Sequence, residues 1–135
     1  MIRNEELTPC LESGGKSILV VDDEPNICRA LKRALENEGY VVYIAFNGDE
    51  ALKLVSEKAP DLVILDIMMP GMNGRDIAAK IRAACKSRIV YFSARADLIN
   101  ESDVSAIAGE ADAFIVKPAS SQRIISVISD LLNRR

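Results

Sequence analysis

From Ser17 onward the chain carries five short apolar runs, Ile18–Val21, Val41–Ala45, Leu62–Leu65, Ile89–Phe92 and Ala113–Val116. Between them lie stretches whose apolar residues recur every three or four positions. Four or five apolar residues without polar alternation mark strands covered on both faces, as in a parallel sheet between helices. The intervening stretches predict those helices. Pro25 stands where a first helical turn tolerates it, Ile27, Leu31, Ala34 and Leu35 follow at helical spacing, and Gly39 stops the run. Arg29, Lys32 and Arg33 fall on other faces. Asn47 can cap a second helix carrying Ala51 and Val55 that ends before Pro60, and Asn73 opens a third carrying Ile77 and Ile81. Ser120 or Ser121 caps a last helix with Ile124, Ile128, Leu131 and Leu132 turned inward. The period is weakest over 94–109, where a short helix is expected around Asp103–Ala108. Residues 1–16 are polar, hold Pro9 and Gly14-Gly15, and read as a flexible leader before one folded domain, 17–134.

Strand-helix alternation repeated five times implies an α/β fold: a doubly wound parallel sheet of five strands and five helices joined by right-handed crossovers. The order 2-1-3-4-5, the flavodoxin-like arrangement, makes the first and third strands neighbours at the switch point, where ligand sites form beyond the carboxyl ends. Asp22-Asp23 ends the first run and Asp66 ends the third. Acids distant in sequence are thus expected in one place, and three such carboxylates resist ionising together unless a cation joins them.

Composition narrows the chemistry. With 135 residues, 49% of them hydrophobic and 27% charged, the chain is sized for one ordinary core. Its apolar runs are only strand-length, and Met1-Ile2-Arg3-Asn4-Glu5-Glu6 lacks a signal-peptide core, so a cytoplasmic protein without membrane attachment is expected. Cys10, Cys28 and Cys85 are odd in number, widely spaced and outside any metal-ligand pattern, which favours small buried thiols over disulfides. A net charge of −3 gives no electrostatic footprint for nucleic acid. Histidine is absent altogether, which removes the commonest general base and transition-metal ligand and leaves carboxylates with a hard cation.

Mg²⁺ is usually held by one or two carboxylates, waters and substrate phosphate oxygens, and Asp23 and Asp66 could supply the carboxylates. A carboxylate can also attack phosphorus and become an aspartyl phosphate. The ordinary reading is that aspartates follow strands because turns and helix caps favour them. Two further strand ends weigh against it: Ser93 follows Ile89–Phe92, and Lys117 follows Ala113–Val116. Taken alone, Ser93 is a polar turn residue and Lys117 an exposed lysine. Together they offer a hydroxyl donor and a compact mobile cation beside the acids. Lys117-Pro118 is a bond that pays little for the cis form.

These segments, Val20-Val21-Asp22-Asp23-Glu24-Pro25, Leu65-Asp66-Ile67-Met68-Met69-Pro70-Gly71-Met72-Asn73-Gly74, Ser93-Ala94 and Phe114-Ile115-Val116-Lys117-Pro118, resemble those of the bacterial response-regulator receiver domain over about residues 16–134. The resemblance implies that Asp66 accepts a phosphoryl group from a sensor histidine kinase or a histidine phosphotransfer protein. It implies Mg²⁺ held by Asp23, Asp66 and the backbone carbonyl of Met68, with Asp22 acting through metal-bound water. Lys117 would bridge to the phosphoryl group, Ser93 and Phe114 would switch together, and Ile27 and Pro118 would dock the phosphodonor. A downstream output domain or protein and a phosphorylation-dependent homodimer belong to the same implication. Against the family pattern, the segment from Asp66 to Ser93 is somewhat short and that from Ser93 to Lys117 somewhat long, which touches the fourth helix and not the acid site. Two other classes share this topology. A haloacid-dehalogenase-type phosphatase or phosphotransferase would place an aspartate where Met68 stands, and a flavin or nucleotide module would need a phosphate loop where Asp22-Asp23-Glu24 would repel phosphate.

Overall fold

The computed structural model describes residues 16–69, 71–94 and 111–133. In chain order these form β1 (Ser17–Val21), α1 (Pro25–Asn37), β2 (Val41–Ala45), α2 (Gly48–Lys58), β3 (Leu62–Leu65), β4 (Met68–Met69), β5 (Met72–Asn73), α3 (Gly74–Ala84), β6 (Arg88–Ser93), β7 (Ala113–Val116) and α4 (Ser121–Leu132). Five strands make one parallel sheet in the order β2-β1-β3-β6-β7. Counted over its five principal strands, that is the expected 2-1-3-4-5.

The apolar runs become central strands because both of their faces are covered. Odd positions of β1 and β3, Leu19, Val21, Val63 and Leu65, pack with Ile89 and Tyr91 against Ala51 and Val55 of α2 and Ile77, Ala78 and Ile81 of α3. The alternate residues Ile18, Val20, Leu62, Ile64, Val90 and Ile115 pack against Cys28, Leu31 and Leu35 of α1 and Ile124, Ile128 and Leu131 of α4. Period two in the strands and period three to four in the helices thus meet in two apolar layers. Each fully buried aliphatic side chain contributes roughly 1.5–3 kcal/mol relative to exposure.

Helix starts follow local chemistry. Asn47 Oδ1 accepts from Glu50 N, Asn73 Oδ1 from Arg75 N, and Ser120 Oγ from Arg123 N, so Ser120 and not Ser121 is the last cap. Pro25 begins α1 without a side-chain cap.

Two differences from the sequence expectation stand out. A two-stranded antiparallel hairpin, β4 with β5, interrupts what reads as a loop after Asp66, and Gly71 in its turn takes φ of 74°, the left-handed region that favours glycine. Of the five expected helices four are described; the one expected around Asp103–Ala108, like the leader up to residue 15, lies outside the described residues. Among the described residues no helix is long and apolar enough to cross a membrane.

Candidate functional site

The parallel register puts Val21 opposite both Ala45 and Leu65. Backbone pairing runs one residue further, with Asp22 N donating to Ala45 O at 3.2 Å and Asp66 N to Val21 O at 3.0 Å. The acids therefore emerge side by side at the carboxyl rim of the sheet. Each of Asp22, Asp23 and Asp66 offers a carboxylate oxygen within 4.8 Å of the others. Asp22 and Asp66 are buried, whereas Asp23 is exposed and has no hydrogen-bond partner among the described residues.

Lys117, carried to the same rim by β7, closes the cluster. Its Nζ lies 2.7 Å from Asp22 Oδ2 and 3.3 Å from Asp66 Oδ2. The remaining oxygens are held by backbone: Glu24 N donates to Asp22 Oδ1 and Met68 N to Asp66 Oδ1, each at 3.0 Å. Phe92 supports the ammonium from below, its ring centroid 5.2 Å from Nζ. Lys117 N donates to Ser93 O at 2.9 Å, so the buried Ser93 at the end of β6 and Lys117 at the end of β7 are joined through their backbones. The Lys117–Pro118 peptide is cis.

Three carboxylates face one ammonium, so the cluster is short of positive charge. Burial pushes the Asp66 carboxyl above its usual range, against the pull of the Met68 N–H and Lys117, while Asp22 adds to the rise. Burial alone would lower the Lys117 ammonium, but its bond to Asp22 and the charges of Asp66 and Asp22 win, and it is raised above an ordinary lysine. The Cys28 thiol, fully buried on α1, is pushed up to about 11 by burial and by Asp22, and it donates to the Asp22 carbonyl at 3.3 Å.

An all-oxygen, carboxylate-rich donor set with one exposed, unengaged acid fits a hard divalent cation better than a softer metal. Asp23 is the carboxylate least committed to protein partners. Met68 sits at the edge of the same cluster with its side chain exposed, while its own N–H fixes Asp66. Phe114 on β7 is half-buried and meets Tyr91 edge to face, with centroids 6.2 Å apart and rings at 82°. Ile27 and Pro118 line an apolar cavity of about 220 Å³ between α1 and the start of α4, with Ala30, Phe92, Ile124 and the Lys117 stem in its wall.

Asp22, Asp23, Asp66 and Lys117 thus meet at the rim, Met68 and Ser93 join it through their backbones, Ile27 and Pro118 line the neighbouring cavity, and Phe114 lies against Tyr91 within the sheet. Two supporting residues lie outside the sequence expectation. Cys28 reads as a small buried thiol, yet its place one helical turn after Asp23-Glu24 puts it under the acidic loop. Phe92 reads as strand core, yet directly before Ser93 it reaches the Lys117 ammonium at the rim.

The family model for the response regulator receiver domain matches residues 18–129. Among solved structures, the response regulator TrrA from Thermotoga maritima, in complex with Mg²⁺-BeF, is 40% identical, with a TM-score of 0.75 over 86% of this chain and 98% of that one. A response regulator receiver domain protein from Clostridium thermocellum is 30% identical, with a TM-score of 0.79 over 88% of this chain and 95% of that one. A CheY-like receiver from Methanospirillum hungatei JF-1 is 28% identical, with a TM-score of 0.80 over 87% and 94%. A match that begins in β1 and runs into α4 takes in the whole sheet and its acidic rim, and the chain belongs to the response regulator receiver domain family of two-component signalling.

Proposed function

We propose that residues 17–134 act as a switch controlled by phosphorylation of Asp66. The observation that carries this reading is the buried Asp66 carboxylate at the end of β3, held by the Met68 N–H and placed 3.3 Å from the Lys117 ammonium beside two further acids. In the transfer, an Asp66 carboxylate oxygen forms a bond to phosphorus as the N–P bond of a donor phosphohistidine breaks, and the departing imidazole takes up a proton. These 135 residues hold no histidine, so the phosphohistidine lies outside them, on a sensor histidine kinase or a histidine phosphotransfer protein.

Asp23, Asp66 and the backbone carbonyl of Met68 would hold Mg²⁺, with Asp22 acting through a bound water. When bound, the ion supplies neutralising charge to the phosphoryl oxygens. That TrrA, at 40% identity, is known in complex with Mg²⁺-BeF supports Mg²⁺ as the ion. Lys117 exchanges its hold on Asp66 for one on the phosphoryl group, keeping Asp22 as its anchor. Ser93 moves toward the same oxygens and Phe114 follows, turning against Tyr91, which carries the local charge change to the sheet edge.

The phosphodonor docks over Ile27 and Pro118, where the apolar cavity takes a side chain of its helix. On α1 the neighbouring Arg29 and Arg33 line the adjoining surface together with the Lys32–Glu36 ion pair, so the two arginines would favour acidic residues on the donor there. Downstream, the phosphorylated face acts on an output domain or protein or on a second copy. Chemistry beyond self-phosphorylation and autodephosphorylation is not expected, since Met68 occupies the place where a phosphatase of similar fold keeps an acid. A cytoplasmic setting follows from the kinase partner.

Incubation with Mg²⁺ and acetyl phosphate, followed by intact-mass measurement, tests the reading. One phosphoryl adduct is expected in the wild type and none in Asp66→Asn. An unmodified wild type, or an adduct undiminished in the variant, would overturn it.

A further inference from the structure

The hairpin β4–β5 turns the chain back so that α3 begins directly against the backbone that follows Asp66. Gly74 N donates to Ile67 O at 3.1 Å. A methyl group at Gly74 would lie 2.5 Å from Ile67 Cα and 2.9 Å from both Asp66 O and Ile67 O. Every one of those atoms is backbone, so none can swing aside as a flexible side chain would. Gly74 has an ordinary backbone conformation, unlike Gly71, and its φ alone would admit any residue. Helix propensity favours alanine over glycine within helices, so the requirement for glycine is steric and local to the rim.

From this geometry we infer that Gly74 is a positioning residue for the acidic rim: by lacking a side chain it lets α3 set the path of Asp66–Met68. The consequence is specific. Met68 N belongs to the Ile67–Met68 peptide, whose carbonyl takes the Gly74 bond, and it meets Asp66 Oδ1 only while Ile67 lies where it does; the Met68 carbonyl follows in the next peptide. Displacing Ile67 by the several tenths of an ångström that a methyl demands tilts the Ile67–Met68 peptide, which shifts the Asp66 carboxylate through the Met68 N–H and carries the following Met68 carbonyl with it. Second-layer supports of metal ligands change affinity by about 10–100-fold when removed. The inference rests on the reading of Asp23, Asp66 and the Met68 carbonyl as a Mg²⁺ site.

The experiment is Mg²⁺ titration of the full chain by calorimetry, comparing wild type, Gly74→Ala and Gly71→Ala. Gly71 is exposed in the same hairpin, and a methyl there meets no atom within 4 Å, so that variant strains the turn by its φ without pushing on Ile67. At a temperature where all three are folded, the Mg²⁺ dissociation constant is expected to rise at least about tenfold in Gly74→Ala and to stay within about threefold of wild type in Gly71→Ala. Equal affinity in wild type and Gly74→Ala, or an equal loss in both variants, overturns the positioning role. A wild type that binds no Mg²⁺ overturns instead the reading on which it rests. Should Gly74→Ala fail to fold, the wild type alone decides by amide NMR: the Gly74 and Met68 amides are expected to shift along one Mg²⁺ isotherm, and a Gly74 amide that stays still while Met68 moves contradicts the coupling.

Discussion

Cys28 shows how one side chain can be bound to the site without joining its chemistry. Its thiol is fully buried, is pushed up to about 11, and donates to the carbonyl of Asp22. An unfolded chain loses that proton near 9.0, the ordinary value, so between pH 9 and 11 the unfolded state binds fewer protons than the native state. Stability must then fall as pH rises through that window. The contribution approaches about 2–3 kcal/mol by its upper end. Cys28→Ser keeps a donor for Asp22 and cannot titrate there. Urea unfolding at pH 8 and pH 11 should show a smaller loss for Cys28→Ser than for wild type by about that amount; equal losses would mean the thiol is not protonated in the fold. Lys117 is raised as well, so its stabilisation persists through neutral pH and is lost only above the ordinary lysine range, in both proteins alike. Of the rim residues, Asp22, Asp23, Asp66, Ser93 and Lys117 were legible in the sequence because each stands one or two positions past an apolar run. Gly74 was not, because its role comes from a close approach between elements that no spacing encodes, and Cys28 was not, because a small apolar-like thiol one turn into α1 reads as ordinary core.

The four described helices and the five strands of the parallel sheet were legible to within a residue or two for a different reason: the period changes sharply wherever one element gives way to the next. Asn47 illustrates the boundary chemistry. It accepts from Glu50 N at 2.9 Å, and the Glu50 side chain in turn accepts from Phe46 N at 2.8 Å, a reciprocal cap that fixes the start of α2 against the end of β2. Asn47→Ala is expected to cost about 1 kcal/mol, with no change in Mg²⁺ binding, since α2 does not carry a rim residue. Chemical denaturation checks the first part and calorimetry the second. The hairpin β4–β5 escaped sequence reading because its strands are two residues each, too short for alternation to register. At the far end of the sheet, Asp112 accepts from Ile89 N at 2.8 Å and pairs with Arg82 of α3 at 3.1 Å. That side chain fixes the entry into β7, and so the height at which Lys117 reaches the rim.

For the molecule as a whole, the sheet order is the decisive fact, since it alone brings β1, β3 and β7 to a common edge with their acids and their lysine. The folded state thereby concentrates negative charge that the unfolded chain disperses, and a divalent cation that binds only the folded cluster stabilises it by mass action. Mg²⁺ at a hundredfold excess over its dissociation constant should add about 2.7 kcal/mol to the wild type and raise Tm accordingly. In Asp23→Asn that gain should largely vanish, because Asp23 is the acid with no protein partner among the described residues. An equal rise in both proteins would show that the ion acts elsewhere. Phosphorylation then adds its charge where Lys117 and, in the proposed state, Mg²⁺ already balance the acids. The assignment of the acceptor among three neighbouring carboxylates can be read chemically. Borohydride reduces an acyl phosphate to the alcohol and so converts a phosphorylated aspartate to homoserine. After treatment with Mg²⁺ and acetyl phosphate, peptide mass spectrometry should find homoserine at position 66 and nowhere else; homoserine at position 22 or 23, or at no position, would contradict Asp66 as the phosphoryl acceptor.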